Sequence, residues 1–297
     1  MKLPDKFAAH VFWVTLILML WLCAVAFGGV AEDVHRNTVV VTNGAGHGSG
    51  VLFTRGDRTF VWTAAHVGDI FARSDGTFRE AIILQGDKTA FARVLRCGDY
   101  TVDTDCALLE ITSGDSMVGD ARFFRGFNHI KLGQEIVHCG TPLDISWNER
   151  LVTFGRISGV DKLLQGNILA APRRLDHVDI TGGPGCSGGP VVDEGTGGIV
   201  GLVVMGSGPS MMIIEPTRYI YEWCVRHDCL FAFDRTVDMP CELHAWLGDE
   251  YVRRCRARDT TPPLDWSEPP VELASVLDAI RSIGFWEWFA MVMRATS

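Results

Sequence analysis

From residue 38 to about 216 the chain is a succession of short apolar runs cut by Gly- and Asp-containing turns, and this constrains the fold more than any other feature. Val39–Thr42, Gly50–Thr54, Thr59–Ala64, Glu80–Leu84, Ala90–Leu95 and Ala107–Ile111 are rich in Val, Ile, Leu, Phe and Thr. Turns such as Arg55-Gly-Asp-Arg58 and Gln85-Gly-Asp-Lys88 separate them. That is strand text, and six short strands suit a closed antiparallel barrel, which leaves no exposed edge. A looser stretch, Ser113–Lys131, leads to a second set: Gln134–Cys139, Leu151–Val160, Asn167–Ala171, His177–Thr181, Gly189–Val192, Ile199–Val204 and Met211–Ile214. The expected class is all-β, with two six-stranded antiparallel β-barrels. Pro216–Arg226 reads as a helix, with Tyr219, Ile220, Trp223 and Arg226 bracketing one face.

The two ends differ from this body. Lys2 and Lys6 precede an apolar run, Val11–Phe27, followed by small residues at Gly29 and Ala31. This pattern predicts a signal peptide or a membrane anchor over 1–31 and an exported, secreted or membrane-anchored domain over 36–230. A Cys-containing extension follows over 231–259, then a Pro-rich linker over 260–270 and an amphipathic helix over 271–297. The helix carries Leu273, Val276, Leu277, Ile280, Ile283 and Trp286, and three uses fit it: docking on the body, a partner, or a membrane surface. Among 297 residues, 47% are hydrophobic, enough for a sizeable core. A formal net charge of -9 disfavours nucleic acid as a partner.

Three short motifs carry chemistry. Val61-Trp-Thr-Ala-Ala-His66 runs a strand into a histidine. Asp103-Thr-Asp105-Cys-Ala-Leu-Leu-Glu110 opens a strand with acid. Gly183-Pro-Gly-Cys-Ser187-Gly-Gly-Pro190 places a serine in a glycine-rich loop. A serine hydroxyl is a weak nucleophile and needs a base beside it. Histidine, with an unperturbed pKa of about 6.5, takes the proton and returns it to the leaving amine. A carboxylate fixes the imidazole tautomer and stabilises the imidazolium. Glycines let successive amides converge on one point, so the amides of Gly185 and Ser187 are the candidate oxyanion hole. Asp105 leads directly into the Ala-Leu-Leu strand and is favoured over Asp103, which caps the turn. His47, His129, His138, His177, His227 and His244 are read as structural or surface residues.

These three motifs, in this order, resemble those of trypsin-like serine peptidases, which implies a chymotrypsin-like double barrel and a triad of His66, Asp105 and Ser187. Further matches resemble the Deg-type, high-temperature-requirement branch. They are Gly48-Ser-Gly50-Val-Leu-Phe53, Gly133-Gln-Glu-Ile-Val-His-Cys-Gly140-Thr-Pro142, Val152-Thr-Phe-Gly155-Arg-Ile-Ser-Gly159, and Asp179 eight residues before Ser187. The resemblance spans about residues 38–226. It implies a peptide or protein substrate, no cofactor, and a primary pocket with Thr181 at its base and Val204, Met205, Gly206 and Met212 as walls. With no carboxylate at that base, a small or medium apolar side chain is the expected preference. Cys186 stands where trypsin has an aspartate, so activation through a freed N-terminus is not expected. The region beyond residue 230 has no Gly-rich carboxylate-binding loop of the kind a PDZ domain needs. A catalytically inactive binding module and a membrane-tethered interaction protein are the readings of other classes.

Of nine cysteines, Cys23 lies in the apolar run. The other eight suggest disulfides in an exported chain. Cys97 with Cys106 is the first expectation, Cys139 with Cys186 a second, and Cys224, Cys229, Cys241 and Cys255 form a cluster. A zinc site from Cys224, Cys229, Cys241 and His244 is the rival reading of that cluster.

Overall fold

The computed structural model describes residues 29–243 apart from 45, 69–70, 72–77, 102, 124–129, 144–148, 165–171, 207, 209 and 242, together with Thr15. The apolar run Val11–Phe27, the segments 260–270 and 271–297, and Cys23, Cys255, His129 and His244 therefore lie outside the described residues. Among the described residues no helix is long and apolar enough to cross a membrane.

A helix α1 (residues 29–37) enters the first barrel, where the sequence reading had placed only the exit of a signal. Val34 on α1 is 5% exposed, and its carbonyl accepts the Thr38 hydroxyl at 2.7 Å. The first barrel comprises β1 (Thr38–Thr42), β2 (His47–Arg55), β3 (Arg58–Thr63), β4 (Ala81–Gln85), β5 (Lys88–Cys97) and β6 (Ala107–Gly114), with a short helix α2 (Ala65–Gly68) after β3. The second comprises β7 (Glu135–Gly140), β8 (Leu151–Leu164), β9 (Arg173–Val178), β10 (Pro190–Asp193), β11 (Ile199–Gly206) and β12 (Met212–Pro216), followed by α3 (Thr217–Arg226) and α4 (Leu230–Phe233). Both barrels close in the same order, β1-β2-β3-β6-β5-β4 and β7-β8-β9-β12-β11-β10. Every pairing is antiparallel.

The two-residue period of a strand divides its side chains between separate cores. On β3, Val61 joins the cluster of Val39, Leu52, Ile83 and Leu109 inside the first barrel. Its neighbours Phe60 and Trp62 join an outer cluster with Leu108, Leu202, Trp223 and Phe231. Ile136, Ile157, Val178, Val200 and Ile214 fill the second barrel. The outer cluster fastens α3 and α4 to the barrels. Trp62 and Trp223 meet edge to face with centroids 6.2 Å apart, and Trp62 Nε1 donates to the Ala232 carbonyl at 3.3 Å. Arg55, Arg93 and Arg96 donate to the carbonyls of Val237, Leu243 and His227. The chain from 231 to 243 is thus packed on the barrels.

One strand expectation in the second barrel needs correction. The ninth strand is Arg173–Val178, not His177–Thr181, and Asn167–Ala171 falls outside the described residues. Arg-Arg-Leu-Asp reads as a polar loop, yet Asp176 is fully buried. Arg218 on α3 clasps it with two hydrogen bonds of 2.8 and 2.7 Å, and such fork-to-fork pairing lets a carboxylate sit inside.

The disulfide expectations are corrected as well: the seven described cysteines are thiols. Cys97 faces Ala107 across the β5–β6 ladder, so Cys106, one residue earlier, points to the other side of the sheet. Cys97 lies in the first-barrel core and Cys106 in the outer cluster. The same division separates Cys139, in the outer cluster, from Cys186, inside the second barrel. Cys224 and Cys229 are buried thiols within hydrogen-bonding reach of each other, whereas Cys241 is exposed. Among the described residues no group of His, Cys, Asp and Glu is placed to hold a metal ion.

Candidate active site

His66 sits in α2, the single turn that ends β3. Asp105 immediately precedes β6 and is 5% exposed. β3 and β6 are neighbours, with Thr63 opposite Ala107, so the ladder register itself brings the two residues together. Asp105 turns both oxygens to the histidine. Oδ2 lies 2.8 Å from His66 Nδ1, and Oδ1 accepts the His66 main-chain N–H at 3.1 Å. This places the Nδ1 proton toward the carboxylate, the tautomer in which Nε2 is able to accept a proton.

The loop carrying Asp105 is stapled. Gly98 N–H donates to the Cys106 carbonyl at 2.9 Å, and Asp103 N–H to the Asp99 carbonyl at 2.7 Å. A side chain at Gly98 would meet the Thr104 carbonyl at 2.0 Å, so only glycine permits this closure. Asp99 caps this turn, its Oδ1 accepting the Thr101 N–H at 3.0 Å, a role the sequence reading gave to Asp103. Asp103 instead accepts Arg226 Nη2 at 2.7 Å. Burial raises its carboxyl, but hydrogen bonds from His227 and Arg226 outweigh that and hold it down at about 2.

Ser187 comes from the loop before β10, and the first barrel receives that loop. Ser49 N–H donates to the Ser187 carbonyl at 2.7 Å. The Ser49 hydroxyl donates to the Gly185 carbonyl at 2.8 Å and accepts the Thr141 N–H at 2.9 Å. A Cβ at Gly48 would lie 2.5 Å from Val67, the residue after His66, and 2.9 Å from the Ser187 carbonyl. A Cβ at Gly188 would lie 2.2 Å from both the Ser49 carbonyl and the Thr63 hydroxyl, and its φ of +84° independently favours glycine. Close main-chain approach therefore explains Gly48 and Gly188. The Cys186 amide is used internally, donating to Gly183 at 3.0 Å, while the Gly188 amide donates to Val203 at 2.7 Å.

Several residues of this site escaped the sequence reading. Ser49 was quoted inside a motif without a role. His47 fills the structural role read for it, its Nε2 lying 3.0 Å from the Thr141 carbonyl, beside Gly185. Glu215 on β12 is fully buried. Its Oε2 accepts the Asp105 N–H at 2.8 Å and pairs with Arg173. Burial pushes the Glu215 carboxyl up to about 7, with Arg173 and the Asp105 amide pulling the other way.

The expected primary pocket is divided by the structure. Met212 lies beside Gly182 and Gly206, and Thr181 is exposed, its carbonyl accepting the Thr153 hydroxyl at 3.2 Å. Val204, 7% exposed, and Met205 pack with the first-barrel cluster. A β-bulge between Val203 and Met205 accounts for this by re-aiming the strand.

The comparisons bear on the fold and the family. No curated protein matches the sequence. The solved structure of the active form of the Rv3671c protease from M. tuberculosis is similar with a TM-score of 0.53 at 19% identity, covering 75% of this chain and 90% of that one. The structure of Deg5 is similar with a TM-score of 0.54 at 16% identity, covering 79% of this chain and all of that one. At such identities the likeness establishes the shared chymotrypsin-like double barrel. The profile of the trypsin-like peptidase domain matches residues 48–202, just over half of the sequence, and the chain belongs to that family.

Proposed function

We propose that this peptidase is a serine endopeptidase working through His66, Asp105 and Ser187. The observation that carries the proposal is the His66–Asp105 pair at 2.8 Å, beside which Ser49 and Gly188 seat the serine loop. In the reaction, Ser187 Oγ bonds to the scissile carbonyl carbon while its proton passes to His66 Nε2. The carbonyl oxygen becomes an oxyanion facing the amides of Gly185 and Ser187. Collapse breaks the C–N bond, and the amine leaves with the proton from His66. Water, deprotonated by the same imidazole, then releases the acyl group and restores the serine. Each oxyanion donor lowers the barrier by about 2.7–4 kcal/mol. No step requires a cofactor.

The substrate is a peptide or protein, with a small or medium apolar side chain beside the scissile bond, near Thr181, Gly206 and Met212. The N-terminal apolar run supports an exported location, with the protease domain outside the cytoplasm. Hydrolysis of a peptide library is the test. Wild type should turn over with apolar preference, and Ser187→Ala should lose about 10⁶-fold in rate while keeping its fold. Equal turnover in the two proteins would remove the reading, and no turnover in folded wild type would leave a binding module. Dominant cleavage after Lys or Arg would refute the pocket assignment alone.

A further inference from the structure

Asp105 spends both carboxylate oxygens on His66, one on the ring and one on the main-chain N–H. Its own orientation must therefore be set through its main chain. The Asp105 amide is taken by Glu215 Oε2 at 2.8 Å, from the other barrel. The same oxygen binds Arg173 Nη2. The other arm of that guanidinium, Nη1, donates to the Tyr100 carbonyl at 3.1 Å. The Tyr100 ring meets the His66 ring edge to face, with centroids 6.0 Å apart. One ion pair of the second barrel thus grips the 98–106 loop at two points, and both lead to the imidazole.

We propose that Glu215, held by Arg173, is a positioning residue for the reaction, setting Asp105 and Tyr100 so that His66 faces the serine. The inference rests on the triad reading above. Stability alone gives a poor account of the pair. Glu215 is fully buried, Arg173 is 11% exposed, and Glu215 Oε1 has no hydrogen-bond partner among the described residues. An apolar pair of similar volume serves a fold as well or better. The fork of Arg173 and the single acceptor on Asp105 are what an apolar pair lacks.

The test uses the full chain and two variants. Glu215→Gln keeps an acceptor for the Asp105 amide. Arg173→Met combined with Glu215→Met removes the pair together, so no lone charge stays buried. Rates are normalised to folded protein by circular dichroism. The double variant should lose about 10-fold or more in kcat with KM within about twofold, and Glu215→Gln should restore most of kcat. In parallel, the low-field His66 Nδ1–H resonance is followed by proton NMR, a readout that needs no turnover. It should move in the double variant and stay near its wild-type position in Glu215→Gln. A folded double variant with wild-type kcat and an unmoved resonance would overturn the inference. If wild type proves inactive, the triad reading fails separately, and the resonance alone decides whether Glu215 positions Asp105. If the double variant does not fold, Arg173→Lys replaces it. Lys keeps the charge but cannot reach both partners, so an unchanged kcat and resonance there would likewise overturn the inference.

Discussion

Replacing Ser49 by Ala removes one oxygen from the junction between the barrels, and the structure gives the size of the effect. The residue is fully buried. Its hydroxyl donates to the Gly185 carbonyl at 2.8 Å and accepts the Thr141 N–H at 2.9 Å. Ala leaves both main-chain groups buried and unpaired, at about 1–3 kcal/mol each, so the expected loss is about 2–6 kcal/mol. For a unit of roughly 200 residues that lowers Tm by about 4–24 °C. The activity should fall more than stability requires. Gly185 has a φ of +94°, and its freed carbonyl lets the peptide turn, taking the Gly185 and Ser187 amides out of register. Losing one such donor costs about 100-fold in kcat. Urea denaturation and steady-state hydrolysis of the folded protein measure the two effects. Thr63→Val is the control, since its hydroxyl makes a single 2.7 Å bond to the Ser49 carbonyl and should cost about 1 kcal/mol. If Ser49→Ala is no less stable than Thr63→Val and keeps its kcat, the hydroxyl does not brace the serine loop.

Two further outcomes follow from the same neighbourhood. His138 is fully buried, donates its Nδ1–H to the Pro190 carbonyl at 3.0 Å, and burial pushes its imidazole down from 6.5 to about 4. The unfolded chain therefore takes up this proton first, so stability should decline by about 3 kcal/mol as pH falls from 6.5 to 4. His138→Gln should flatten that limb of the stability curve, and an unaltered curve would refute the assignment. Gly188→Ala places a Cβ 2.2 Å from the Ser49 carbonyl at a φ of +84°. It should cost at least about 3 kcal/mol, and wild-type denaturation would show that the serine loop does not dock there.

The double barrel and the meeting of His66 with Asp105 were legible because their signals are local. His66 ends a strand, Asp105 begins the neighbouring one, and Ser187 stands among glycines that a tight loop demands. What stayed hidden depended on partners far along the chain. Arg173–Val178 reads as loop until Arg218 and Glu215 are known to neutralise its charges. Cys97 and Cys106 look like a disulfide until the register sets Cys97 opposite Ala107 and turns its neighbour away. The split of the pocket residues came from a bulge after Val203 that no composition rule marks. Glu215 gave no signal of its own, because an acidic residue at the end of a strand normally reads as the approach to a turn, here the Pro216 that begins α3.

Fluorophosphonate labelling followed by peptide mass mapping tests the central claim most directly, because the reagent captures only a serine whose proton has a base to go to. The account predicts one adduct, on Ser187, that disappears in His66→Ala and weakens sharply in Asp105→Asn. An unlabelled Ser187 in folded wild-type protein, or an adduct on Ser187 that persists without His66, would contradict it.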